Sequence, residues 1–462
     1  VMGFCHFGKY RYAGPTIALG VAIVFCAAMT LLPALLCMLD KTVFWPEKPS
    51  RKTRLFSDMS YHNGRGKKSG NGWSRIADFT IMRPWVVLVF FLILFLPAMY
   101  MGTRIRVSFN LPGDLPADMP SIEGALLLSE YFPSGEAAPI VVLAYHPSAQ
   151  YQAQTSLWEE IQPITAFLRD FEYRESSGEI DHPIALVRSL NDPLGEHGDG
   201  TGFFEGIRSV ILRKHSRVQR TYLGHGPGYY GRVTRFDIVT QYDPFSLESV
   251  ELLDQLQMQL EKRAADPDSS WYGTQFYFLG TTAGIRDLMT VTRDDFNVIR
   301  LFVPIAVLIV LIAFLRRTLI PIYMVVTVLF TYLVSLGCTV TYFQWYFGDN
   351  YPGLDWRVPI FMFVFLIGVG QGFNIYLVTR VLEEQERRGL KLGLRHAIIR
   401  TGNVISCCGI VLAATFGTML SGRLLMLQEL GFALALGFLL DAFIVRPLLL
   451  PAFLSIAQNE EA

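Results

Sequence analysis

The chain alternates long stretches without a charged residue with stretches crowded with them. Uncharged runs cover residues 13–39, 84–102, 301–315, 318–348, 358–379 and 401–422, and a seventh, 430–457, is broken only by Asp441 and Arg446. A helix that crosses a bilayer needs about 20 mostly apolar residues. The run 301–315 meets that length if its helix starts near Phe296 and Arg300 snorkels to the rim. Seven spans are therefore expected. Between residues 103 and 295 the pattern changes to that of a water-exposed domain. Strand-like runs at 140–145 and 235–240 alternate with amphipathic helices at 121–130 and 246–263, the latter with Val250, Leu253, Leu256, Met258 and Leu260 near a helical period. An α+β domain with βαβ-type units is expected there.

Charge sets the direction of the spans. Residues 40–83 hold ten Lys and Arg against four acids, including the run Arg65-Gly66-Lys67-Lys68. Arg316–Arg317 and the group Arg380, Arg387, Arg388, Lys391, Arg395 and Arg400 fall on the same side if every run crosses. The positive-inside rule makes that side cytoplasmic and residues 103–295 extracytoplasmic. The aromatic stretch 343–356 then lies at the outer interface. Arg65–Lys68 reads as a solvated loop with a secondary attraction to anionic headgroups. Glu383, Glu384 and Glu386 read as an ion-paired helix face.

Only 17% of the residues are charged, and 40 Lys and Arg balance 40 Asp and Glu. Soluble domains carry about 25% charged residues. This excludes a disordered chain, an ordinary cytosolic enzyme and a disulfide scaffold, and gives no reason to expect nucleic acid. All six cysteines lie in or beside apolar runs, without metal-ligand spacing. The Gly-rich stretches 195–202 and 224–231 lack GK[ST] and read as loop turns. The histidines are scattered, and neither GxSxG nor HExxH occurs. No enzyme activity, cofactor or metal is expected. The chain begins at Val1 without a signal peptide and reads as a fragment lacking its N-terminal part.

Residues 14–36 and 431–454 share Gly, then Ala-Leu-Gly, then Leu-Leu-Pro-Ala about a dozen positions later. Parallel repeats of this kind occur in transporters. The reading divides the chain into 1–39, the end of a first membrane half with one span at 13–39; 40–83, a basic cytoplasmic linker; 84–102, the first helix of a second half; 103–295, the outer domain; 296–457, five further helices; and 458–462, an acidic tail.

Several blocks carry a family resemblance. They are Arg83-Pro84, Asp114-Leu115-Pro116-Ala117-Asp118, the nonapeptide from Tyr131 to Pro139 (YFPSGEAAP), and Gly280-Thr281-Thr282-Ala283. Further on come Arg380-Val381-Leu382-Glu383-Glu384, Arg400-Thr401-Gly402, and the last helix from Gly431 through Asp441 and Arg446 to Pro451-Ala452. In order and spacing the chain resembles the C-terminal part of a transporter of the mycobacterial-membrane-protein-large (MMPL) type, in the resistance-nodulation-division superfamily. The resemblance implies an α-helical polytopic bundle in the inner membrane, with an extracytoplasmic α+β porter domain, as the second half of a parallel two-fold repeat. It implies proton-driven export of lipids or other hydrophobic molecules, with membrane lipids as neighbours and with a homo-oligomer or accessory proteins left open. Such families carry an Asp-Tyr pair in the helix matching 358–379. Gly372 and Phe373 stand there, and neither titrates. Coupling would then run through a carboxylate in the missing half, or transport would proceed without protons. The alternative function is a lipid-sensing or accessory membrane protein.

Gln371 and Asn374 share a helix face, with Gly368 and Gly372 expected close to it. Helix packing is the favoured role for the amides, and an altered ion path the other. Ser406, Cys407 and Cys408 follow in the next helix, where the family tends to face small residues to the relay. Asp441 and Arg446 are read as a structural anchor rather than proton carriers, either paired or with Arg446 at the interface.

Overall fold

The computed structural model describes residues 3, 5–39, 72–147, 157–174, 180–195, 211–212, 215–226, 228–229, 231–348 and 351–457. The loop with Arg65–Lys68, most of the glycine stretch 195–202 and the tail 458–462 lie outside the described residues.

Three helices come first: α1 (Gly8–Leu39), α2 (Gly72–Met82) and α3 (Pro84–Thr103). Strand β1 (Val107–Ser108) opens the polar region, followed by α4 (Pro120–Tyr131), β2 (Ile140–Tyr145) and α5 (Leu157–Arg169). Then come β3 (Tyr173–Arg174), β4 (Ile180–Asp181), β5 (Ile184–Arg188), α6 (Ser216–Tyr222), β6 (Val233–Thr240), α7 (Leu247–Ala265) and β7 (Gln275–Leu279). The chain continues through α8 (Thr281–Leu315), α9 (Leu319–Phe347), β8 (Leu354–Asp355), α10 (Arg357–Arg388) and α11 (Leu390–Gly417). The last helix, α12, is α-helical over Leu425–Leu440, π-helical over Asp441–Leu449 and α-helical again over Leu450–Ala457. The protein is mostly helical. Seven of its described helices are long and apolar enough to cross a membrane: α1, α3 and α8 to α12.

Helix α8 resolves the short run at 301–315. It has 35 residues, about 52 Å at 1.5 Å per residue, so its first turns project beyond a hydrocarbon core about 30 Å thick. Gly280 makes its start sharp, with φ +112°, and a Cβ there would lie 2.8 Å from the Pro139 carbonyl oxygen. Thr282 then donates to the Pro244 carbonyl at 3.1 Å. The Gly-Thr-Thr-Ala block is thus a junction between domain and helix. At the other end of the family of spans, α2 occupies the end of the stretch read as linker. It buries Ala77 and Thr80 against the bundle, and its Asp78 accepts from Arg395 of α11 at 2.6 Å.

The polar region holds a four-stranded antiparallel sheet in the order β5-β6-β2-β7. Strand β6 lies between β5 and β2, and β2 lies between β6 and β7. Each helical crossover, β2-α5-β5 and β6-α7-β7, therefore joins strands with a third inserted between them. These are split βαβ units. Ile140, Val142 and Ala144 point from β2 into a core closed by Ile161, Ile164 and Leu168 of α5 and by Leu252, Leu253, Leu256 and Leu260 of α7. Met258 is 66% exposed, which corrects its place in the predicted apolar stripe: it lies two positions from Leu256, on the far side of the helix.

In the bundle, α9, α10 and α12 form the centre. Phe363, Leu366, Ile367, Leu434 and Phe438 are buried there. Helix α1 is attached mainly at its start: the backbone N–H groups of His6 and Phe7 each donate to the buried Asp295 carboxylate of α8 at 2.7 Å. The rest of α1 is exposed.

Candidate functional site

Asp441 and Arg446 sit at the two sides of the π-helical turn of α12, both about 2% exposed, and the guanidinium Nη2 donates to the Asp441 carboxylate. They pair; Arg446 does not snorkel. The same Nη2 lies 3.5 Å from the Gly370 carbonyl oxygen of α10, and the Arg446 guanidinium carbon sits 4.4 Å from the Phe373 ring centroid. Helix α10 therefore presents its backbone and an aromatic face to the arginine. A small void of about 10 Å³ borders Arg446, beside Trp73, Thr401 and Gly402. That is close to the least volume that holds one water.

In the same turn of α10, Gln371 donates to the Met324 carbonyl of α9 at 3.1 Å, and Asn374 is fully buried. Among the described residues both amide atoms of Asn374 lack a hydrogen-bond partner, as do the hydroxyls of Ser335 and Ser406. Unmatched buried amides are uncommon in folded proteins. Ser406 is buried, Cys407 is exposed and Cys408 is half-buried.

Two expectations about this face change. Gly368 and Gly372 are not beside Gln371 and Asn374: both are exposed, and a Cβ at either would meet nothing within 4 Å. One residue along an α-helix is a rotation of about 100°, which takes position 372 off the face of 371 and 374. Phe373 is half-buried and lies against Arg446. The two positions read as relay equivalents therefore point in different directions.

A second polar group escaped the sequence reading. Strand β1, just after α3, pairs in parallel with β8, just before α10, with Val107 opposite Leu354 and Ser108 opposite Asp355. Arg357, the first residue of α10, donates through Nε to Asp355 at 2.7 Å and through Nη2 to Asp114. Glu429 of α12, fully buried, accepts from the Tyr351 hydroxyl at 2.7 Å and from the Asp355 backbone N–H at 3.0 Å. Three carboxylates, one guanidinium and one phenol thus tie the start of the polar region to α10 and α12. Burial, and next the Asp355 carboxylate, push Asp114 up to about 7, against the pull of Arg357. A raised carboxyl pKa means that the folded state holds the proton more tightly. Its contribution to stability is complete below the ordinary aspartate value of 3.8 and lost as pH rises through about 7. The difference in thermal stability between the wild type and D114N is expected to change across that window and to be flat above it. A flat difference throughout would show that Asp114 titrates normally.

At the opposite end of the bundle, Glu384 is buried rather than part of a solvated face. It is paired with Arg380 at 2.6 Å and Arg388 at 3.0 Å, with Arg400 at 4.0 Å. Glu383 stays exposed, on Arg380. The sequence showed the arginines but not which acid they enclose.

The profile of the MMPL family matches residues 1–87 and 231–460. The chain belongs to the MMPL family. This MMPL chain is 26% identical over 452 residues to the apo-petrobactin exporter of Bacillus anthracis, covering 97% of the chain and 53% of that protein. It is 30% identical over 454 residues to the putative membrane protein SCO5905 of Streptomyces coelicolor, covering 96% and 45%. It is 29% identical over 222 residues to the sulfolipid-1 exporter MmpL8 of Mycobacterium tuberculosis, covering 48% and 20%. The MMPL chain spans about half the length of the curated relatives that match it along nearly all of its residues. It is a multi-pass membrane protein of a transporter family.

Proposed function

We propose that this chain is the C-terminal portion of an exporter that moves lipids or other hydrophobic molecules across the cytoplasmic membrane. In this reading residues 103–295 form the extracytoplasmic porter domain, and the bundle is the second half of a parallel repeat. The observation that carries it is the joint of β1 with β8. It links a separately cored α+β unit directly to α10 and α12, the helices that hold the buried polar cluster. A movement of α10 or α12 would reach the domain through Arg357 and Glu429. Relatives named as exporters of apo-petrobactin and of sulfolipid-1 support the outward direction of transport.

Energy comes from protons that bind outside this cluster, at a carboxylate of the first half. Gly372 and Phe373 have no titratable group, and Asp441 already faces Arg446. The test is efflux of a fluorescent hydrophobic cargo from vesicles containing the full-length protein, with and without an uncoupler. Efflux is expected to stop when the gradient collapses. Unchanged efflux under uncoupler rejects the coupling, and absence of efflux under a full gradient, across lipid and other hydrophobic cargoes, rejects export. The second reading, a lipid-sensing or accessory membrane protein, draws on the same untitratable pair and gains from that last outcome.

A further inference from the structure

A cavity of about 700 Å³ lies where the bundle meets the α+β unit. Its walls come from the end of α3, from β1, from the end of α9, from residues 351–353 and from the first turn of α7. The volume is in the range of small-molecule sites. Met101, Val107, Phe109 and Val340 supply an apolar side, and Arg104 and Arg106 supply two guanidinium groups. Neither arginine is ion-paired among the described residues, and the lining holds one carboxylate among those residues, Glu248. Arg104 has one face over the Tyr100 ring, at 4.7 Å, which leaves its edge free to donate. The first-turn N–H groups of α7, at Leu247 and Glu248, have no intrahelical acceptor, and its 19-residue dipole adds positive potential on the same wall.

We infer that this cavity binds the headgroup of an anionic amphiphile, one carrying a phosphate, sulfate or carboxylate on an apolar tail. A guanidinium pair provides forked donors for such oxygens. The level of the cavity fits the same ligand: Met101 and Arg104 mark the end of one span, and Val340 and Gln344 lie in the last turns of another. A headgroup there is held at the boundary between hydrocarbon and domain, while its tail lies along the exposed flank of α3 near Met101, which is 39% exposed. As a choice of cargo class, the inference rests on the exporter reading, and the site sets which hydrophobic molecules enter.

The test uses the full-length protein in nanodiscs of phosphatidylcholine, with a fluorescent dodecyl phosphate and the matching dodecanol as probes. The phosphate is expected to bind more tightly than the alcohol. R104Q/R106Q is expected to weaken the phosphate about tenfold, the scale of one charge-assisted hydrogen bond, and to leave the alcohol unchanged. V340W, which fills the apolar side, is expected to weaken both probes and serves if the arginine variant does not fold. Phosphatidylglycerol in the disc displaces the probe if a bilayer lipid is the natural source and leaves it bound if a free amphiphile is; either result supports the site. Equal binding of the two probes, or phosphate binding indifferent to both variants, overturns it. Binding is read without a gradient, so loss of headgroup preference with efflux intact removes this inference alone, and intact binding without efflux removes the exporter reading alone.

Discussion

R446M is expected to deplete the folded protein from the membrane and to lower its thermal stability in detergent, by about 3–5 kcal/mol in equilibrium terms. The loss comes from the partner left behind. With Arg446 gone, the Asp441 carboxylate stays inside the bundle, about 2% exposed and without its cation, and Phe373 loses the guanidinium it supports. The double variant D441L/R446M separates two roles. Replacing a whole buried pair by apolar residues of similar size is often neutral or stabilising, so fold and yield are expected to recover. If efflux recovers as well, the pair is an anchor. If the double variant folds and efflux stays absent, the charges take part in transport, and the anchor reading fails.

G337V is expected to have an effect of similar size by steric means. Helices α3 and α9 touch backbone to backbone at Gly102 and Gly337. A Cβ on Gly337 would fall on the Ala98 carbonyl oxygen and 2.9 Å from the Gly102 nitrogen; one on Gly102 would fall on the Leu333 carbonyl oxygen. Close small-residue crossings are what hold membrane helices together, since lipid is as apolar as the side chains it would replace. With valine there the two helices must separate along their length. In contrast, G368A and G372A, which meet open space, are expected to leave the stability of this chain unchanged. Size-exclusion profiles of fluorescent fusions report both outcomes. A monodisperse G337V protein of wild-type stability would refute the packing argument.

The membrane part was legible because hydrocarbon imposes a length and an absence of charge that no folded context overrides. The strands at 140–145 and 235–240 and the helices at 121–130 and 246–263 were legible from period alone, and observed boundaries differ by a residue or two. What period could not carry was direction about the axis. Gln371, Gly372 and Asn374 lie within four positions, yet Gly372 points away from the other two. Nor could it carry partnership across distance. Glu429 stands one residue before the apolar run 430–457, and only the fold brings Tyr351 and Asp355 to it. Asp295 ends the polar stretch, and nothing in the pattern there marks an acceptor. It is the acceptor that fastens residues 6 and 7 to α8.

The π-helical segment of α12 explains why two charges five residues apart can meet. In an α-helix, positions five apart are about 140° around the axis from each other, and their side chains diverge. The wider turn brings them to one side, and its backbone follows suit, with the Leu450 N–H donating to the Val445 carbonyl. The extra residue in that turn is a unit of slack spanned by the charge pair. Taking up that slack would advance the segment beyond Leu450 by about 1.5 Å and rotate it by about 100°, and Pro447, which has no N–H to give an α-helical ladder, opposes it. Helix α12 is thereby a screw with one thread out of register, and the ion pair bridges the step.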